Sequence, residues 1–251
     1  MTSGNSPDQK QEPNQTQPGM AHYGSIFCVG KNYPDHAREM EKWEELAADR
    51  RIRASSEEPI IFLKPSSAIS RNGTTSIPLF DGLPVSGEMH YEVELVLLIG
   101  RNADSVGIDE ATSFISGFGI GLDMTLRDVQ LEAKKAGNPW LKSKGFRNSA
   151  LVSDFVPPGE AGPFEDLTIS LRLNDRIVQH SPVSEMTFPP AYLLHYLSYI
   201  YGLRRGDLIF TGTPAGVGRV KPADRLHATL ESGTGTGSSP SRLATLDATI
   251  I

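Results

Sequence analysis

Glu92 and Glu94 stand two residues apart in "HYEVELVLLIG" (90–100), at the start of an apolar run. Successive side chains on a strand point to opposite faces, so these two carboxylates project side by side from one face. Adjacent carboxylates repel each other and resist burial. A divalent cation reverses that cost, because it makes clustered anions favourable. Hard cations take oxygen ligands, and Mg²⁺ holds near-octahedral geometry with several retained waters. A third acid is then welcome. "GIGLDMTLRD" (119–128) supplies Asp123 at the exit of another apolar strand, just before a helix. Each acid also has a plainer reading: the glutamates as a polar strand end paired to Lys or Arg, and Asp123 as a helix N-cap.

"NYPDHAREM" (32–40) places His36 and Glu39 at i, i+3, on one helix face and within reach of each other. A carboxylate beside an imidazole orients the ring and raises its basicity, the arrangement of a general base. The alternative is a solvated helix surface. "KSKGF" (142–146) holds Lys142 and Lys144 near Trp140, either to neutralise a substrate carboxylate or simply exposed. "TGTPAGVG" (211–218) has the glycines of a phosphate cradle but not the Gly-Lys-Ser/Thr of a P-loop, which excludes that ATP site. "GFGIG" (117–121) lacks dinucleotide-binding spacing, so its glycines read as aids to close strand packing. His22, His180, His195 and His227 fall in no ligand spacing and read as structural or surface residues.

The elements that must position these groups are mostly short strands. Apolar runs predict strands over 25–29, 59–65, 91–99, 117–122, 151–156, 168–174 and 176–180, and a strand running into a turn over 206–214. Asn174-Asp175 suits a hairpin turn, and 224–231 with 242–251 alternate as a second hairpin across the Gly/Ser-rich loop 232–241. Helices are expected over 33–54, where Pro34 suits a first helical position, over 125–136 and over 189–203. There is no internal repeat. Many short strands with a few helices predict a mainly β fold with α decoration.

Composition narrows the class. The 251 residues suffice for one large domain or two small ones. Hydrophobic residues make up 38% and charged residues 22%, ordinary for a soluble globular protein. The net charge of −6, with no basic run, points away from nucleic acid and from anionic membrane surfaces. No apolar stretch reaches the roughly 18 residues of a membrane span. The single cysteine, Cys28, rules out an internal disulfide framework and suits a reducing compartment. Residues 1–20, rich in Gln, Pro, Asn, Ser and Gly, read as a disordered leader. The leader has no hydrophobic signal core and no Arg, so a cytoplasmic location is expected, with the mitochondrion kept as the alternative.

Taken together and in order, "GKNYPDHAREM", "EEPIIFLKP", "HYEVELVLLIG", "GLDMTLRDVQ", "KKAGNPWLKSKGF", "GDLIFTGTPAGVG" and "DRLHATLES" resemble the fumarylacetoacetate hydrolase family. The resemblance covers most of 25–231 and is nearest to the short, single-domain members. It implies a mainly β fold of rolled, mixed sheets, one catalytic domain over 21–251, an Mg²⁺ or Mn²⁺ site, and a homodimer. Position by position, it implies Glu92, Glu94 and Asp123 as metal ligands, and His36 and Glu39 as a catalytic pair. It also implies Arg127, Gln130 and Lys144 as substrate-facing residues, Lys144 also among the catalytic ones, and the TGTP-loop Thr213 beside the substrate. The implied substrate is a small 2-oxo acid. The expected reaction is acylpyruvate hydrolysis through a metal-stabilised enolate, with oxaloacetate decarboxylation or keto–enol tautomerisation second. A non-catalytic, metal-stapled scaffold is the reading from another class. One departure stands out: "EKWEELAADRRIRASS" (41–56) is longer than in the short members and adjoins the segment that closes over substrate in similar enzymes. Dense charge with few apolar anchors predicts that 34–54 orders when a substrate analogue binds.

Overall fold

A computed structural model describes residues 23–45, 58–70, 72–233 and 240–251. The expected leader, most of 41–56 and the tip of the last hairpin loop lie outside the described residues.

In chain order the strands and helices are β1 (Ile26–Gly30), α1 (Pro34–Glu45), β2 (Ile60–Lys64), β3 (Thr74–Thr75), β4 (Leu79–Phe80), β5 (Leu83–Pro84), β6 (Met89–Tyr91), β7 (Val93–Ile99), β8 (Ile115–Asp123) and β9 (Thr125–Leu126). There follow α2 (Arg127–Ala136), α3 (Leu141–Lys144), β10 (Ala150–Val152), α4 (Pro158–Ala161), β11 (Leu167–Leu173), β12 (Arg176–Pro182), α5 (Pro190–Ile200), β13 (Leu208–Phe210), β14 (Gly218–Arg219), β15 (Arg225–Ser232) and β16 (Ser241–Ile250). The fold is mainly β with α decoration, in rolled sheets. One six-stranded sheet runs β10-β8-β7-β13-β1-β2 and one five-stranded sheet runs β12-β11-β15-β16-β3. Both are mixed: β1 and β13 pair in parallel, as do β16 and β3, and the other pairs are antiparallel.

The larger apolar core lies on one face of the six-stranded sheet. Val93, Leu95, Leu97 and Ile99 of β7 point into it, with Phe27, Ile120, Leu122, and Leu193, Leu194 and Leu197 of α5. The opposite face carries a smaller cluster of Cys28, Val96, Ala150, Leu208 and Phe210. Glu94 has the parity of Val96 and so emerges on this second face. Gly121 faces Glu94 across the ladder. A Cβ there would lie 2.6 Å from Val96 Cγ2 and 2.7 Å from Phe210 Cε1, so this glycine lets the two side chains close the layer beneath the acids.

The structure corrects several boundaries. The expected strand 91–99 is two strands that change partners at Glu92: β6 pairs with β9 and β14, while β7 pairs with β8 and β13. The expected helix 125–136 begins at Arg127, because Thr125 and Leu126 are drawn into a ladder with β6. The run 206–214 is, as expected, a strand that passes into a turn: β13 ends at Phe210, and Gly212 at φ +100° and Gly216 at φ +99° turn the chain away from extended form. The described part of α1 ends at Glu45, and α5 is shorter than 189–203 at both ends. Both expected hairpins form, the first around Asn174 at φ 53° and the second between β15 and β16.

Candidate functional site

Strand register assembles the acids. Ladder pairing sets Val93 against Leu122 and Glu94 against Gly121, and the Asp123 N–H donates to the Glu92 carbonyl at 2.9 Å. Glu92, Glu94 and Asp123 are all buried, and one carboxylate oxygen from each lies within 4.8 Å of the others. Asp123 is no helix cap: α2 begins four residues later and its N-cap position is Leu126.

Three cations answer the three acids. Lys144 Nζ donates to Glu92 Oε2 at 2.6 Å and to Asp123 Oδ2 at 2.8 Å. Arg127 forms an ion pair with Glu92 Oε1. Lys64 Nζ lies 2.7 Å from Asp123 Oδ1. Their effects on the carboxylates differ. Burial pushes Glu92 up, but Lys144 and Arg127 outweigh it and hold that carboxyl well below the usual range. Glu94 receives the Gly212 N–H at 2.7 Å but has no ion pair among the described residues. Burial, then Asp123 and Glu92, drive its affinity for a proton well above normal. Burial pulls the Lys144 ammonium down, and Asp123 and Glu92 overcome this and raise it. The plain reading of a paired strand end thus describes Glu92 but not Glu94. Three converging buried carboxylates, one without a countercharge of its own, are the donor set a hard divalent cation takes.

The loop before α1 brings in the His–Glu pair. Asn32 Nδ2 donates to the Thr211 carbonyl at 2.7 Å, and its Oδ1 accepts from Phe188 N at 2.8 Å, which pins the start of the helix to the strand end carrying Thr213. His36 is 5% exposed, so it is no solvated surface residue. Its Nδ1 lies 3.3 Å from Glu39 Oε2, which also accepts from Gly216 N at 3.2 Å. Burial pushes Glu39 up, but the bonds from His36 and Gly216 outweigh it and hold its carboxyl below the ordinary value.

One small cavity joins these groups. Its lining includes His36, Glu92, Glu94, Arg127, Gln130, Lys144 and Thr213, with Phe62 and Trp140 as an apolar wall. Glu39 and Asp123 reach the lining residues from behind. On α2, Arg127 and Gln130 share a face at i, i+3, and Arg127 Nη1 donates to Gln130 Oε1 at 2.6 Å. Lys142 is exposed, which leaves Lys144 as the lysine of "KSKGF" at the site.

Residues 25–250 match the family model described as fumarylacetoacetate (FAA) hydrolase C-terminal. The chain belongs to this family. It is 38% identical over 205 residues to a mitochondrial oxaloacetate tautomerase of Bos taurus, covering 81% of this chain and 86% of that protein. It is 37% identical over 208 residues to an oxaloacetate tautomerase of Escherichia coli, covering 82% and 88%. Among solved structures, a fumarylpyruvate hydrolase of Pseudomonas aeruginosa, in complex with Mn²⁺ and pyruvate, aligns at TM-score 0.75 and 30% identity over 94% of this chain and 93% of that one. For this fumarylacetoacetate hydrolase family chain, sequence reasoning missed three buried polar residues that organise the site: Asn32, Lys64 and Gln179. Lys64 left a readable trace, a lone charge ending the apolar run "IIFL" before Pro65. Gln179 left none, because it comes from a different sheet.

Proposed function

We propose that this chain is a divalent-metal-dependent enzyme of small 2-oxo acids, with keto–enol tautomerisation of oxaloacetate as its leading reaction. The observation that carries the reading is a cluster of three buried carboxylates, two of which line one cavity together with His36, whose ring Nδ1 faces Glu39. The similarity to oxaloacetate tautomerases over more than four-fifths of the chain supports the same class.

Glu92, Glu94 and Asp123 would hold Mg²⁺ or Mn²⁺. Such a cation, when bound, stabilises negative charge on the oxygens of a chelating 2-oxo acid as a Lewis acid. Glu39, with its lowered proton affinity, is ionised and can only accept, so the His36 Nδ1 hydrogen faces it, and the neutral tautomer that would act as a base carries its lone pair on Nε2. His36 Nε2 takes a proton from the carbon beside the 2-oxo group. That proton returns to the 2-oxo oxygen, so the atoms balance and no water is consumed. Lys144 and Gln130 donate toward substrate oxygens and favour the charge that develops there. Arg127, anchored on Glu92, and Thr213 orient the carboxylates.

Acylpyruvate hydrolysis, placed first on sequence grounds, becomes the second reading. The His36–Glu39 pair favours it, since a base that can take a proton from carbon can also take one from water. The hydroxide so formed would attack the distal carbonyl and release a carboxylic acid and pyruvate. Oxaloacetate decarboxylation shares the same machinery. A metal-stapled scaffold has no use for a base at the cavity. The proposal extends to one domain over 21–251, a homodimer, and a cytoplasmic location; sedimentation of the purified chain tests the dimer.

The deciding experiment offers oxaloacetate and acetylpyruvate separately to purified protein with Mg²⁺ and identifies the products. Faster keto–enol equilibration of oxaloacetate without pyruvate release supports the leading reading. Pyruvate and acetate from acetylpyruvate, with oxaloacetate untouched, would replace it by the second. Inertness toward both substrates would sink the two together.

A further inference from the structure

Gln179 is 2% exposed and reaches from β12, in the five-stranded sheet, to the site on the six-stranded one. Its Oε1 accepts from Val93 N at 3.0 Å, at the point where the strand 89–99 changes partners. Its Nε2 donates to the Pro214 carbonyl at 2.8 Å and to Thr213 Oγ1 at 2.8 Å. The amide orientation is therefore not a free choice. A backbone N–H can only donate and a backbone carbonyl can only accept, so Oε1 must face Val93 and Nε2 must face Pro214. The second hydrogen on Nε2 then falls on the Thr213 hydroxyl, which is obliged to accept it.

A hydroxyl has one hydrogen to give. With its acceptor side taken by Gln179, Thr213 keeps its own hydrogen for another partner, and no hydrogen bond among the described residues uses it. Thr213 lines the cavity. We infer that Gln179 is a positioning residue that fixes Thr213 as a donor into the cavity, so that this position selects a substrate carboxylate oxygen and rejects a donor group. The inference rests on the 2-oxo acid reading and adds a residue that acts through Thr213 without touching the substrate.

The experiment measures oxalate affinity by calorimetry on the Mg²⁺-loaded protein, for single and paired variants. Gln179→Glu keeps the size and the acceptor for Val93 but offers no donor, so the Thr213 hydroxyl turns to donate to it and away from the cavity. Affinity is expected to fall by about tenfold to a hundredfold, the ordinary worth of a hydrogen bond to a charged group. Thr213→Val should lose a similar amount, and Thr213→Ser should retain most of the affinity. The decisive arm is Gln179→Glu in the Thr213→Val background, which should add little further loss because the two changes remove one interaction. Losses that multiply, or unchanged affinity in Gln179→Glu, would overturn the assignment while leaving the 2-oxo acid reading intact. If Gln179→Glu does not fold, Gln179→Met replaces it: a severalfold loss that vanishes in the Thr213→Val background supports the inference, and a multiplying loss overturns it. No oxalate binding by the unmodified protein would overturn the 2-oxo acid reading and the assignment with it.

Discussion

At residue 94 a buried carboxylate has neighbours of like charge and, among the described residues, no ion pair of its own. Glu94→Ala should abolish Mg²⁺ binding and activity together, a loss beyond the roughly 10–100-fold expected for an outer partner of a metal ligand. Unchanged Mg²⁺ affinity by calorimetry would show that the acids are wrongly assigned. His36→Ala should leave Mg²⁺ affinity as it is and slow turnover by about 10²–10⁴, the usual worth of a general base. Full turnover in that variant removes His36 from the chemistry. Lys64 is different in kind. Besides Asp123 it serves the carbonyls of Lys144 and Ser149, so Lys64→Met strands a buried anion and several acceptors. A destabilisation of about 3–5 kcal/mol is expected in denaturant unfolding. At this scale the sequence was legible where chemistry lay in neighbouring residues: Glu92 with Glu94, His36 with Glu39. It was silent on Gln179, whose partners are 34, 35 and 86 residues away.

The element that presents Arg127 and Gln130 is α2, and a carboxylate at its first turn ties it down. Asp128 accepts from Gly87 N at 2.8 Å, from Val129 N at 2.8 Å and from the Ser86 hydroxyl at 2.5 Å. Burial pushes Asp128 up, and these bonds outweigh it and hold the carboxyl below its ordinary value. The folded form therefore binds its proton more weakly than the unfolded chain. The stabilisation is complete above the unfolded value of about 3.9 and is lost as pH falls through the lower folded value. Asp128→Asn should cost on the order of 1 kcal/mol near neutral pH and show a shallower fall in stability between about pH 5 and 3. Identical acid-unfolding curves for the two proteins would refute this. For residues 34–54, of which 46–54 lie outside the described residues, equal hydrogen-exchange protection with and without oxalate would count against ordering on binding. Periodicity announced most elements but hid the change of partners at Glu92, because the pattern of alternation runs unbroken through it while the hydrogen-bond partners do not.

The molecule as a whole was legible as mixed sheets with few helices, because the alternation of short apolar runs with turn residues carries that information locally. Which strands share a sheet was not legible. The parallel pairing of β1 with β13 joins residues about 180 apart, and no local signal encodes it. That pairing brings His36, carried by α1 just after β1, to Thr213, carried by the loop after β13. Three carboxylates and three cations meet at the centre of this assembly, Glu92, Glu94 and Asp123 against Lys64, Lys144 and Arg127. The protein is therefore expected to stay folded in EDTA, with its melting temperature lowered by no more than about 10 °C, and to regain activity on adding Mg²⁺. Unfolding in chelator at 25 °C would contradict this. On the proposed metal-dependent reading, the same balance of charge would set the order of maturation. A fresh chain would reach its final shape whatever the local supply of the divalent cation, and loading would be its last step and a reversible one. Scarcity of the ion would then silence the molecule without unfolding it.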